Sequence, residues 1–156
     1  FASVSSPGRL EILHRDPTVI IDAAHNPHGA TALADTIRNE FDFESIFCVL
    51  GILGEKDVKG VLRALEPVVD RLIVTKSDSP RALPVAELFA EAVQVFGNDR
   101  VFKEDDLNSA ITYAMEQATL INQVSDGVSA VVITGSVVTA GSAREILRKI
   151  GRSEAK

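Results

Sequence analysis

The strongest constraint on this chain is an alternation of two periodicities. Thr18-Val19-Ile20-Ile21-Asp22 is a β-branched run ending in an acid, and it is too short to be a helix. The segment from Pro27 to Phe41 behaves differently, with Ala30, Leu33, Ala34, Ile37 and Phe41 recurring at three- and four-residue spacing, which predicts an amphipathic helix. Asn26 followed by Pro27 supplies its N-cap and first-turn proline. The same pairing recurs three times, with strands expected at Ile46–Leu50, Leu72–Val74 and Arg100–Lys103. The helices that follow are marked by Val58, Val61, Leu62 and Leu65, by Val85, Leu88, Phe89 and Ala92, and by Leu107, Ala110, Ile111 and Ala114. A last strand, Ser129 to Thr134, leads through Gly135-Ser136 to a helix expected from Ala143 to Ile150. Leu10 to Leu13, ahead of the turn formers Arg15-Asp16-Pro17, completes a hairpin with the Thr18 strand.

Near-continuous Val and Ile runs belong to strands covered on both faces, and strands that alternate with helices build a mainly parallel sheet. The expected fold is therefore α/β: a three-layer αβα Rossmann-like sandwich whose mainly parallel sheet carries an antiparallel edge hairpin strand. At 156 residues the chain suits one domain, 1–156, with one core. In such sheets ligands bind beyond the carboxyl ends of the strands, which directs attention to Asp22–Pro27, Gly51–Asp57, Thr75–Pro80 and Thr134–Ser136.

Charge and composition exclude several function classes. A formal charge of −6 opposes a broad polyanion-binding face, because nucleic-acid affinity rests on clustered Lys and Arg; a local nucleotide site is still compatible with it. The single cysteine, Cys48, sits in an apolar run and reads as a small hydrophobe. No stretch approaches the roughly 20 apolar residues of a membrane span, and no basic-then-apolar leader opens the chain, so a cytoplasmic location with no membrane partner is expected. The first residue is Phe1, which suggests a piece of a longer polypeptide. Neither the dinucleotide glycine fingerprint nor a Walker A loop occurs.

The densest polar cluster is Asp22-Ala23-Ala24-His25-Asn26-Pro27-His28-Gly29, at a predicted strand-to-helix junction. Three readings stand side by side. Asn26 can cap the helix while Asp22 ends the strand and the histidines are solvated. Asp22, His25 and His28 can ligate zinc, although the helix start falls between the two histidines. Asp22 can also accept from ribose hydroxyls at the strand end. Elsewhere, Lys56 follows Gly51 and Gly54 in an ordinary βα turn, and Ser136 is either a turn residue or, with nearby backbone N–H groups, a holder of a carboxylate. Arg9 is either a solvated surface residue or a fork for phosphate oxygens. The run Glu104-Asp105-Asp106 suits the positive end of the helix it precedes.

Taken in order, Pro7-Gly8-Arg9-Leu10-Glu11, Asp22-Ala23-Ala24-His25-Asn26-Pro27, Gly51 with Lys56-Asp57, and Thr134-Gly135-Ser136 resemble the C-terminal domain of folylpolyglutamate synthase/dihydrofolate synthase, the folate branch of the Mur ligase superfamily. The resemblance spans nearly the whole chain. It implies an ATP-driven amide ligase in which a folate or dihydropteroate carboxylate becomes an acyl phosphate and the amine of L-glutamate attacks it. It further implies that Arg9, Asp22 and Asn26 meet ATP, that His25 and Ser136 lie toward glutamate, and that Lys56 is a weaker candidate. The Walker A loop and the Mg2+ ligands would belong to an N-terminal ATPase domain of the same polypeptide, so no catalytic residue and no metal ligand is expected in this chain, and alone it should be inactive. Two alternatives remain at this level: a Mur ligase domain acting on a cell-wall precursor, and a stand-alone nucleotide-binding module.

Overall fold

A computed structural model describes residues 9–155, so Pro7 and Gly8 of the first motif lie outside the described residues. Six strands form one sheet in the order β1-β2-β6-β3-β4-β5. These are β1 (Glu11–His14), β2 (Thr18–Ile21), β3 (Ser45–Leu50), β4 (Arg71–Val74), β5 (Val101–Lys103) and β6 (Ser129–Thr134). β1 pairs antiparallel with β2, and every other neighbouring pair is parallel. The five α-helices are α1 (Pro27–Glu40), α2 (Val58–Leu65), α3 (Val85–Phe96), α4 (Leu107–Val124) and α5 (Val137–Glu154). A 3-10 turn, Asn98–Arg100, takes the first residue of the strand expected from Arg100.

The interior is two apolar layers rather than the one core that chain length suggested, because a doubly covered sheet divides it. On one face Leu33, Ile37, Leu62, Leu65, Leu88 and Phe96 of α1, α2 and α3 pack on Ile20, Cys48, Leu50, Leu72 and Val132. On the other, Ile111 and Ala114 of α4 with Ala143 and Leu147 of α5 pack on Val19, Ile21, Val49, Ile73, Val131 and Ile133. Alternate residues of each strand thus feed opposite layers, as the pleat requires.

Helix starts are set by side-chain caps. Asn26 Oδ1 accepts from Gly29 N at 2.8 Å, Asp57 Oδ1 from Gly60 N at 3.0 Å, and Asp106 Oδ1 from Ser109 N at 2.8 Å. Helix α5 begins at Val137 rather than at Ala143. The β-branched Val137-Val138-Thr139 and Gly141 weaken a helix on propensity alone. Ser136 caps this turn, and Thr139, Ala140, Ala143 and Leu147 are buried against the sheet, so tertiary packing overrides the local preference. Among the described residues no helix is long and apolar enough to cross a membrane.

Candidate functional site

The chain direction creates a crevice at β6. From β2 the chain leaves through α1 on one face, and from β3 through α2 on that same face. From β6, which lies between them, it leaves through α5 on the opposite face. Neighbouring strands whose connections diverge to opposite faces leave an opening beyond their carboxyl ends, where ligands bind in open α/β sheets. The turns after β2, β6 and β3 meet at this place.

Backbone bonds stitch the three turns together. Asp22 N donates to Ile133 O at 3.1 Å, Gly135 N to Ala24 O at 3.1 Å, and Gly51 N to Thr134 O at 3.2 Å. Thr134 Oγ1 also reaches Ala24 O at 3.4 Å. Gly135 has φ +126°, and a Cβ there would stand 2.1 Å from Gly51 O, so only glycine fits the contact.

The expectation that Arg9, Asp22, His25 and Ser136 share one rim holds for their placement and fails for their exposure. Asp22 is 1% exposed and Ser136 2%. The reason is local. Asp22 Oδ2 turns back to accept from Ala24 N at 2.9 Å, and Ser136 Oγ caps α5 by accepting from Thr139 N at 2.9 Å, so both side chains hold their own turns rather than face outward. Ser136 also donates its hydrogen to Thr139 Oγ1 at 2.9 Å.

Three groups are accessible. Arg9 is exposed and forms no ion pair among the described residues. Because Glu11 pairs with Ile21, Arg9 stands level with the turn that follows β2. Asn26 is exposed at the start of α1. His25 is half-buried, with Nδ1 3.1 Å from Ala23 O. A carbonyl oxygen only accepts, so Nδ1 carries the hydrogen and, in the neutral ring, Nε2 is left as an acceptor.

Lys56 stands apart from the crevice. It lines a groove of about 520 Å³ with Gly54, Leu83, Glu87 and Glu91, beside α2 and α3, and it too forms no ion pair among the described residues. Its loop is tied to the segment after β4 by Gly54 N to Arg81 O at 3.0 Å, by Leu83 N to Ile52 O at 2.9 Å, and by a Glu55–Arg81 ion pair. That hydrogen-bonded arginine holds the exposed Glu55 carboxyl below its ordinary range. Sequence spacing gave no sign of this strap, which joins loops from two different strands. Thr75 Oγ1, fully buried just past β4, has no hydrogen-bond partner among the described residues.

Among the described residues there is no group of three or more His, Cys, Asp or Glu able to hold a metal, so Asp22, His25 and His28 do not form a zinc centre. Cys48 is enclosed between the layers, and burial pushes its thiol up to about 12, far from a reactive thiolate.

Comparison with known proteins agrees with this fold. The family model described as "Mur ligase, glutamate ligase domain" matches residues 8–137. The dihydrofolate synthase/folylpolyglutamate synthase of Mycobacterium tuberculosis is 51% identical over 152 residues, covering 94% of this chain and 31% of that protein. The crystal structure of Mycobacterium tuberculosis folylpolyglutamate synthase complexed with ADP and AMPPCP superposes with a TM-score of 0.87 at 52% identity, over 94% of this chain and 33% of that one. E. coli FolC in complex with DHPP and ADP gives 0.77 at 27% identity, over 92% and 31%. The chain spans about a third of the length of these relatives. It belongs to the glutamate ligase domain family of the Mur ligases.

Proposed function

We propose that this chain, as one domain over 1–156, is the C-terminal part of a cytoplasmic ATP-dependent ligase that adds L-glutamate to folate or dihydropteroate. The observation that carries the reading is the convergence of the Asp22–Pro27, Thr134–Ser136 and Gly51 turns on the crevice around β6, in a chain of this family. ADP in two related structures supports the use of a nucleotide by a protein of this family.

In this reaction a carboxylate oxygen of the pterin substrate attacks the γ-phosphorus of ATP, and ADP leaves. The amine of glutamate then attacks the acyl carbon, the carbon–oxygen bond to phosphate breaks, and the amine loses a proton. Arg9, an exposed cation level with the β2 turn, meets the phosphate oxygens; a positioned charge of this kind contributes on the order of 3 kcal/mol to a charged transition state. Asp22 and Asn26 form the ribose side of the crevice. Asp22 acts chiefly by shaping the turn, since its carboxylate is buried. His25 Nε2 accepts from the glutamate amine and Ser136 sets the α5 turn beside it, whereas Lys56, in its separate groove beside α2 and α3, takes no part. The Walker A loop and the magnesium ligands are assigned to an N-terminal ATPase domain of the same polypeptide, in keeping with the lack of any group of three or more His, Cys, Asp or Glu able to hold a metal among the described residues.

The test is glutamate-dependent ADP release by the full-length protein carrying Arg9→Ala or Asp22→Asn. Both should lose at least tenfold in kcat/KM with an unchanged circular dichroism spectrum. The 156-residue chain alone should turn over nothing. Two folded variants with wild-type rates would refute the site.

A further inference from the structure

One side chain bridges the two turns that flank the opening between β6 and β3. Thr139 is fully buried in the first turn of α5, and its Oγ1 donates to Gly51 O at 2.8 Å. A carbonyl oxygen has no hydrogen to give, so the single hydroxyl hydrogen of Thr139 goes to Gly51. The hydrogen between the two hydroxyls, 2.9 Å apart, is therefore that of Ser136. Thr139 N donates in return to Ser136 Oγ at 2.9 Å. Ser136, Thr139 and Gly51 thus form a directed chain in which every hydrogen is committed. A side chain at Gly51 would meet Thr139 Oγ1 at 3.2 Å and Ser77 N at 3.5 Å, so the segment after β4 closes on the same point.

We propose that Thr139 is a positioning residue for the incoming amino acid. The inference rests on the ligase reading above. Thr139 touches no reacting atom; it fixes the direction of the Ser136 hydroxyl and the separation of the α5 turn from the end of β3. The turn that carries Asp22 and Asn26 is held by a different link, Gly135 N and Thr134 Oγ1 on Ala24 O, which Thr139 does not enter. Loss of the Thr139 hydroxyl therefore frees the Ser136 hydroxyl beside the amino acid and leaves the link to the turn of Asp22 and Asn26 in place. A misplacement of roughly 1 Å in groups that orient a substrate can lower a rate about a hundredfold.

The experiment uses the full-length protein, with L-glutamate and ATP varied in turn. Thr139→Val keeps the shape and removes the hydroxyl, and it should raise KM for glutamate at least tenfold while KM for ATP stays within twofold. Thr139→Ser restores the hydroxyl and should bring KM for glutamate back within threefold of wild type. If Thr139→Val does not fold, Thr139→Ala against Thr139→Ser makes the same comparison. An unchanged KM for glutamate in a folded hydroxyl-less variant overturns the proposal. So does an equal rise in both KM values, or a Thr139→Ser variant as defective as the valine. A wild-type protein with no glutamate-dependent turnover overturns the ligase reading and the inference with it, whereas an active wild type with an indifferent valine variant overturns the inference alone.

Discussion

Gly135→Ala separates two physical effects that the fold combines at one position. The residue has φ +126°, a region that side-chain-bearing residues rarely enter, and holding alanine there costs about 1–3 kcal/mol. Its new Cβ would also fall 2.1 Å from Gly51 O, 2.8 Å from Gly51 C and 3.0 Å from a methyl of Leu50. Backbone atoms of a neighbouring strand end cannot swing aside, so the turn itself must shift, at a further cost of about 1–3 kcal/mol. The sum, roughly 4 kcal/mol, corresponds to a fall in Tm of about 8–16 °C at 2–4 °C per kcal/mol for a chain of this size.

Two other glycines supply the controls. Gly97 has φ +86° but open space where a Cβ would go, so Gly97→Ala carries the backbone penalty, roughly 2 kcal/mol, without the clash, and its Tm should drop by about 4–8 °C. Gly141 lies inside α5 with neither strain nor a neighbour, and alanine there should raise stability by about 0.5–1 kcal/mol. Urea and thermal unfolding of the three purified variants measure the order directly. If Gly135→Ala melts no lower than Gly97→Ala, the contact between the β6 and β3 turns is not as tight as described, and the stitched crevice loses its main support.

Other outcomes follow from single side chains. Because desolvation raises the Cys48 thiol to about 12, it stays protonated in the folded chain; a thiol-disulfide dye at pH 8 should give no signal until urea unfolds the protein, and prompt labelling of the native chain would contradict the burial. The same shift makes the thiol's contribution to stability full below its ordinary 9.0 and lost as pH rises toward about 12, so Cys48→Ala should flatten the alkaline fall in stability between those values. Arg100 donates to Glu66 Oε2 at 2.8 Å and to the carbonyls of Glu66 and Val69, and its guanidinium lies 4.8 Å from the Phe96 ring centroid. Lysine cannot reproduce that fork, and with the site about a third exposed, Arg100→Lys should cost about 1 kcal/mol in urea unfolding. Asn26→Ala removes the cap of α1 and should cost about 1 kcal/mol by the same assay.

Much of the architecture was legible because it depends on local periodicity. The β-branched runs at Thr18, Ile46, Leu72 and Ser129 and the helical stripes on α1 to α4 fall within a few residues of their expected places, since each is a single-segment signal. The start of α5 was not legible. Its first turn is β-branched and holds a glycine two residues further on, and only the Ser136 cap and the buried Thr139 make it helical. The spacing of Ser136 and Thr139, a hydroxyl three residues ahead of its partner at a strand end, was the available clue. Placement of the candidate residues followed from strand ends alone, but the burial of Asp22 and Ser136 did not. It arises because Asp22 Oδ2 accepts from Ala24 N and Ser136 Oγ from Thr139 N, so each side chain folds back on its own turn instead of facing outward.

Insertion of β6 between β2 and β3 explains why these residues meet at all. Had the sheet followed chain order, the turn after β2 would adjoin the turn after β3, both exits would lie on one face, and no crevice would open between them. β6 separates the two and sends its own chain to the far face, so each side of its turn borders a different opening. One opening is bounded by Asp22–Pro27 and the other by Gly51, and the β6 turn has a distinct link to each: Gly135 and Thr134 to Ala24 on one side, Thr139 to Gly51 on the other. A reaction that uses a nucleotide to activate a carboxylate for attack by an amine requires adjacent subsites held at fixed separation. A single turn hydrogen-bonded to a neighbouring turn on either side meets that requirement, and it centres the ligase chemistry proposed for this chain on β6 rather than on any one of the motifs that first pointed to it.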